Sequence, residues 1–190
     1  MGVVVDFPKP RDIPRGSIFD RVENHWNALR GGCLVASRNV LEPRSLGPAL
    51  PDVFVLERSG SGLAQFRVAG SRVRNFFGYN VFDDIFSRCW RFQDRQALLD
   101  AFASLFSEPC EIRLEFAISG NVAGHGRFGL WPLRDSSGGI TQALGCLDIQ
   151  DEAVLGNGQL ALRDQDRRTL TGYAFETVAQ KFARPVLRVV

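Results

Sequence analysis

Apolar and polar residues alternate without a break from Cys110 to Phe116, with Ile112, Leu114 and Phe116 on one parity and Glu111, Arg113 and Glu115 on the other, and Ile118 continues the apolar parity. That period of two predicts a strand with one buried face. Ala64, Phe66 and Val68 alternate with Gln65 and Arg67 in the same way, and Ser59-Gly60-Ser61-Gly62 joins them to the compact run Val53-Phe54-Val55-Leu56. The pair reads as a hairpin whose first strand is buried on both faces. Further strands are expected at Arg127–Arg134 and Ile140–Ile149, separated by the turn Asp135-Ser136-Ser137-Gly138-Gly139.

Helical spacing fills the intervals. Val73, Phe76 and Phe77 predict a short helix over Arg72–Phe77 closed by Gly78, and a second short one is expected near Asp83–Phe86. Leu98, Leu99, Phe102, Leu105 and Phe106 predict a longer helix from Gln93 to Ser107, ended by Glu108-Pro109. Upstream, Ser17 offers an N-cap, Asp20 lies in the first turn, and Ile18, Val22, Trp26 and Leu29 form one stripe that stops at Gly31-Gly32. Pro43 opens another short helix that should end near Leu50-Pro51. Leu170, Tyr173, Ala174 and Val178 suggest a helix from Asp166 to Phe182, weakened by Gly172.

Strands segregated from helices imply an α+β domain: a five-stranded antiparallel sheet with helices packed on one face, plus an N-terminal flanking helix. The chain divides into a flexible lead-in (residues 1–16, with Pro8, Pro10 and Pro14), flanking helices (17–50), the main domain (52–150) and a C-terminal extension of helical pattern (151–190).

Composition narrows the chemistry. At 190 residues, 45% hydrophobic and 23% charged, the chain is an ordinary globular protein able to bury a core. A net charge of +2 is too small to imply a nucleic-acid partner. Only Lys9 and Lys181 are lysines, a skew towards arginine that codon usage explains. Cys33, Cys89, Cys110 and Cys146 are widely spaced and read as reduced and mostly buried. The short apolar start Met1-Gly2-Val3-Val4-Val5 is no signal peptide, and no run reaches membrane-spanning length, so a cytoplasmic location is expected.

The order of these elements resembles a PAS domain. More narrowly, Trp26–Gln150 is similar to the small, mostly stand-alone PAS proteins of alphaproteobacteria grouped as the PAS 5 family. The features that carry the likeness are Trp26-Asn27-Ala28-Leu29-Arg30-Gly31, Leu50-Pro51-Asp52-Val53-Phe54, Phe66-Arg67-Val68-Ala69-Gly70, Phe77-Gly78 and Trp131-Pro132-Leu133. The resemblance implies a sensory or regulatory module that binds a small molecule, a partner protein, or both. It specifies no cofactor and no ligand, and no residues remain for an attached effector domain.

Motifs for other chemistry weigh less. Gly124-His125-Gly126-Arg127-Phe128-Gly129 matches the dinucleotide-binding glycine pattern, but Leu130-Trp131-Pro132-Leu133 cannot open the helix that pattern needs. Phe86-Ser87-Arg88-Cys89-Trp90-Arg91-Phe92-Gln93 is superficially like the flavin-reactive cysteine segment of light-sensing domains, without the asparagine expected beside the cysteine. The Gln93–Ser107 helix holds no histidine for a haem, and His25 and His125 have no second ligand nearby, so no metal is expected. Gly60-Ser61-Gly62 is a turn, not a nucleophile elbow, and no acid–base pair converges, so no catalytic residue is assigned and no enzyme is expected.

Two candidate sites follow. Phe54, Phe66, Phe76, Phe77, Phe102 and Phe116 face the space between sheet and long helix and could line a ligand cavity. Ile18, Val22, Trp26 and Leu29 could form a homodimer contact. Arg67 and Arg113 are expected to face solvent or a partner. The leading expectation is a regulatory module acting through an unidentified signalling protein, with a dedicated small-molecule sensor as the alternative.

Overall fold

A computed structural model describes residues 17–119, 124–149, 154–156 and 158–170. The expected lead-in (1–16), the extension beyond residue 170 and most of the loop between Ser119 and Gly124 lie outside the described residues. The elements in chain order are α1 (Ile18–Arg30), β1 (Ala36–Ser37), β2 (Val53–Gly60), β3 (Leu63–Ala69), α2 (Ser71–Phe77), α3 (Arg95–Ser107), β4 (Cys110–Ser119), β5 (His125–Arg134), β6 (Ile140–Ile149) and β7 (Gln159–Thr169). Short 3₁₀ turns occupy Arg38–Val40, Pro43–Asp52, Phe86–Cys89 and Phe92–Asp94.

The sheet runs β3-β2-β6-β5-β4-β7, every neighbouring pair antiparallel, with β1 a two-residue parallel addition to β5. All five expected strands are present. The sheet has seven strands rather than five, because β1 and β7 join it. β7 corrects the helix expected from Asp166: residues 166–169 continue a strand paired with β4 from Ser119↔Gln159 to Cys110↔Thr169. Its Leu160 and Ala161 are buried while Arg163, Asp164, Arg167 and Arg168 stay exposed, so its charges sit on an edge strand and not on a helix surface. The rest of that expected helix lies outside the described residues.

Both faces of the sheet are covered, which corrects the expectation of helices on one face only. Phe54, Leu56, Phe66, Leu114, Phe116 and Phe128 point inward to α2, Phe86–Cys89 and α3, whose Leu98, Phe102 and Leu105 complete the larger core. The alternate residues Val53, Trp131, Leu133, Leu144 and Cys146 point outward and are buried under α1 and the Pro43–Asp52 turns. α1 forms because Ser17 and Asp20 cap each other's backbone reciprocally and because Phe19, Val22 and Trp26 fall on one face. It is fixed by the Trp26 Nε1–H donating to the Pro132 carbonyl at 2.9 Å, and by Arg113 of β4 reaching Glu23 at 2.6 Å while lying over the Phe19 ring. Arg113 therefore faces α1.

Two glycines in adjacent strands let the aromatic rings close on the sheet. A Cβ on Gly145 would sit 2.1 Å from the Phe54 ring, and one on Gly129 would sit 2.6 Å from Phe19 and 2.5 Å from Trp131. The glycine-rich segment after residue 124 thus runs straight into β5, serving packing.

Candidate functional site

The six phenylalanines singled out in the sequence do come together. All are 2% exposed or less and belong to the inner core. Phe54 meets Phe66 at 5.4 Å between ring centroids, Phe66 meets Phe77 at 5.5 Å, Phe76 meets Phe116 at 5.7 Å. Between them stand three further rings, Phe86, Trp90 and Phe128. Phe128 stacks on Phe116 at 4.8 Å, Phe86 sits 5.4 Å from Phe102, and Trp90 lies 6.0 Å from Phe128. These separations are those of aromatic side chains in contact, so the space expected to hold a ligand holds rings. Alternation could have flagged Phe128 on β5; Phe86 and Trp90 sit in irregular turns where no periodicity exists to read. Trp90 has a feature of its own: its Nε1–H is buried and has no hydrogen-bond partner among the described residues.

A cleft of about 260 Å³ opens beside this core, lined by Tyr79, Asp84, Arg88, Cys89, Leu155 and Gln159 among others. The Tyr79 hydroxyl lies beside Asp84 and Cys89, and burial holds it protonated. Burial pushes the Cys89 thiol up to about 11, so it is a protonated thiol at neutral pH and a poor nucleophile. The likeness to a flavin-reactive segment therefore finds no activated cysteine.

The larger concavity, about 450 Å³, lies outside the sheet, between Pro43–Asp52 and the outward side chains of β2, β3 and β6. Pro43, Pro48 and Pro51 hold the Pro43–Asp52 segment in short turns kinked at Gly47, away from a regular helix. Leu46 and Ala49 anchor it on the sheet, while Leu50 stays 41% exposed. Asp52 ends the segment and is 2% exposed, with Arg72 of α2 at 2.9 Å. Burial raises its carboxyl above the ordinary range and Arg72 opposes that rise. On the neighbouring hairpin Arg67 pairs with Glu57 and Asp83, which holds Glu57 below the ordinary range. Arg67 is thereby part of the hairpin's own charge network.

The stripe expected at a dimer contact is placed differently from that expectation. Val22 and Trp26 are fully buried against the protein's own sheet, and Ile18 and Leu29 are half-buried beside them. Among the described residues, no group of three or more His, Cys, Asp or Glu side chains is arranged to hold a metal ion. No described helix is long and apolar enough to cross a membrane.

An antiparallel sheet in the order β3-β2-β6-β5-β4, with α2, the 86–89 turn and α3 across its inner face, defines a domain of the PAS type. The PAS domain family model PAS 5 matches residues 17–148, and the chain belongs to that family. A comparison with curated proteins finds no match. Family membership makes this a sensory or regulatory module in its broad class.

Proposed function

We propose that this PAS domain is a bacterial cytoplasmic regulator that acts by changing its contacts with another protein, and that α1 is the part that moves. The observation that carries this reading is the second core. α1 is held outside the sheet by a few identifiable contacts, chiefly Trp26 to Pro132 and Arg113 to Glu23, on strands whose opposite face is the aromatic cluster. A shift in the packing on either face changes which conformation of the cap is favoured, and a partner that prefers one conformation reads the difference. Self-association through α1 belongs to the same reading; it would draw on Ile18 and Leu29, because Val22 and Trp26 face inward.

The test is a capture experiment from the native organism with wild-type protein and a Trp26→Ala variant, whose cap is loosened. Proteins held by one and released by the other are the expected result; identical capture by both would count against a mobile cap.

The dedicated-sensor alternative has one observation in its favour, the unpartnered Nε1–H of Trp90 at the centre of the aromatic core. A small molecule with a carbonyl or similar acceptor would satisfy it. Denaturing freshly purified protein and analysing the supernatant by absorbance and mass spectrometry tests that reading: a released compound supports it, and clean protein with no thermal shift across a metabolite panel opposes it.

A further inference from the structure

The groove under Pro43–Asp52 is aliphatic on nearly all sides. Leu46, Val53, Val55 and Leu144 form a floor that is 7% exposed or less, and Leu50 and Val68 form a rim that is 41% and 54% exposed. A concave apolar floor that continues into an exposed apolar rim is the form a small-molecule site takes. The volume, about 450 Å³, falls in the range of small-molecule sites.

The polar members of the lining fix the sign of the ligand. Arg38 and Arg74 line the groove and no acidic side chain does. Arg74 donates to the Ala69 carbonyl at 2.9 Å. Arg38 is half-buried, and among the described residues its guanidinium makes no hydrogen bond or ion pair. A partly desolvated guanidinium without an acceptor is a ready bidentate partner for a carboxylate. The lining also says what the rest of the ligand is. Apart from the two arginines and Ser71, its side chains are leucine, valine, proline and alanine, and the one aromatic residue, Phe54, commits its ring to the inner core. No ring is presented for stacking, which leaves an aliphatic body.

We propose that this groove binds a free, single-chain alkanoate of medium length, its alkyl chain lying along Leu46, Leu50, Val55 and Val68 and its carboxylate on Arg38. The site is separate from the aromatic core. Binding needs nothing from the function proposed above; only its consequence does, since a chain wedged between Pro43–Asp52 and β2–β3 would alter the packing on which α1 depends.

Calorimetric titration of the full chain with hexanoate, octanoate and decanoate, each below its micelle concentration, tests the proposal directly. Affinity should rise about fourfold per added methylene until the groove is filled. Arg38→Gln should weaken decanoate by about tenfold while leaving 1-decanol unchanged. Val68 is a surface position, so Val68→Glu should fold normally and abolish decanoate binding, while Val68→Lys retains it. Absence of binding by all three acids at millimolar concentration would overturn the proposal, and so would binding indifferent to both Arg38→Gln and Val68→Glu. Neither result bears on the capture experiment with Trp26→Ala, so the two ideas fail separately.

Discussion

Trp26 and Pro132 are 106 residues apart in sequence, yet the indole N–H of one donates to the carbonyl of the other at 2.9 Å in a fully buried setting. Proline can accept but not donate, and its position in β5 leaves that carbonyl pointing at α1. Trp26→Phe keeps most of the packing but strands the carbonyl, and should cost about 1–3 kcal/mol. Trp26→Ala should cost about 3–5 kcal/mol through the added cavity. Chemical denaturation of both variants measures the two losses. If they were equal, the hydrogen bond would be carrying the whole of the tryptophan's contribution.

Arg72 is 59% exposed at its side chain, and its partner Asp52 is 3% exposed. An exposed arginine is ordinarily dispensable, but here its removal leaves a buried carboxylate unpaired. Arg72→Ala should destabilise by about 1–3 kcal/mol at neutral pH, more than Asp52→Asn does. The sign with pH follows from the raised Asp52 carboxyl: the loss is full while Asp52 is ionised and shrinks as the pH falls through its raised value, where the neutral acid needs no partner. Denaturation midpoints at neutral and mildly acidic pH would show this convergence.

His25 of α1 lies 3.1 Å from the Ser45 hydroxyl, and burial lowers it from its ordinary value of 6.5. The unfolded chain therefore binds the proton first. The stability His25 contributes is therefore full above about 6.5 and is lost as the pH falls from there through the lowered value. His25→Gln should flatten this part of the stability profile, with no change above it. A variant as pH-sensitive as the wild type would remove His25 from the account.

Gly145 leaves room for the Phe54 ring, and a methyl group at that position would stand 2.1 Å from it. Gly145→Ala should cost about 1–3 kcal/mol by overpacking, and a smaller residue at position 54 should recover part of the loss. A double-mutant cycle with Phe54→Leu reads this coupling.

Of the four cysteines, Cys33 is exposed, while Cys89, Cys110 and Cys146 are buried with thiols pushed up by desolvation, the first two to about 11. A thiol reagent should label one site quickly in the native protein and four after denaturation. Fast labelling of Cys89 would show that the cleft beside Tyr79 opens.

Sequence pattern captured the domain where its signal is local. The alternation from Cys110 to Phe116, the Ser17 cap and the Leu98–Phe106 spacing each correspond to an element in place. β7 is not legible as a strand because an edge strand with one wet face can carry Arg163, Asp164, Asp166, Arg167 and Arg168, a run as compatible with a solvated helix as with a strand. Only its register with β4, a long-range fact, decides between them. The covered outer face was half-visible: Val53-Phe54-Val55-Leu56 reads as buried on both sides, which already demands a second layer. The groove could not be seen, since Arg38, Leu46, Val55, Val68 and Leu144 come from five separate segments that only folding brings together.

The paired glycines give the sheet a mechanical character. Gly129 faces Cys146 across the ladder and Gly145 faces Leu130, so the two positions without side chains fall side by side in the middle of the molecule. There the partition between the layers thins to bare peptide, with Phe19 pressed on it from outside and Phe54 from inside. At these two positions no side chain stands between ring and backbone, and Leu130 and Cys146 flank them on the inner and outer sides. Displacement of either ring must be taken up by the strands themselves, which puts the two sides of the protein in touch without any relay of intervening residues.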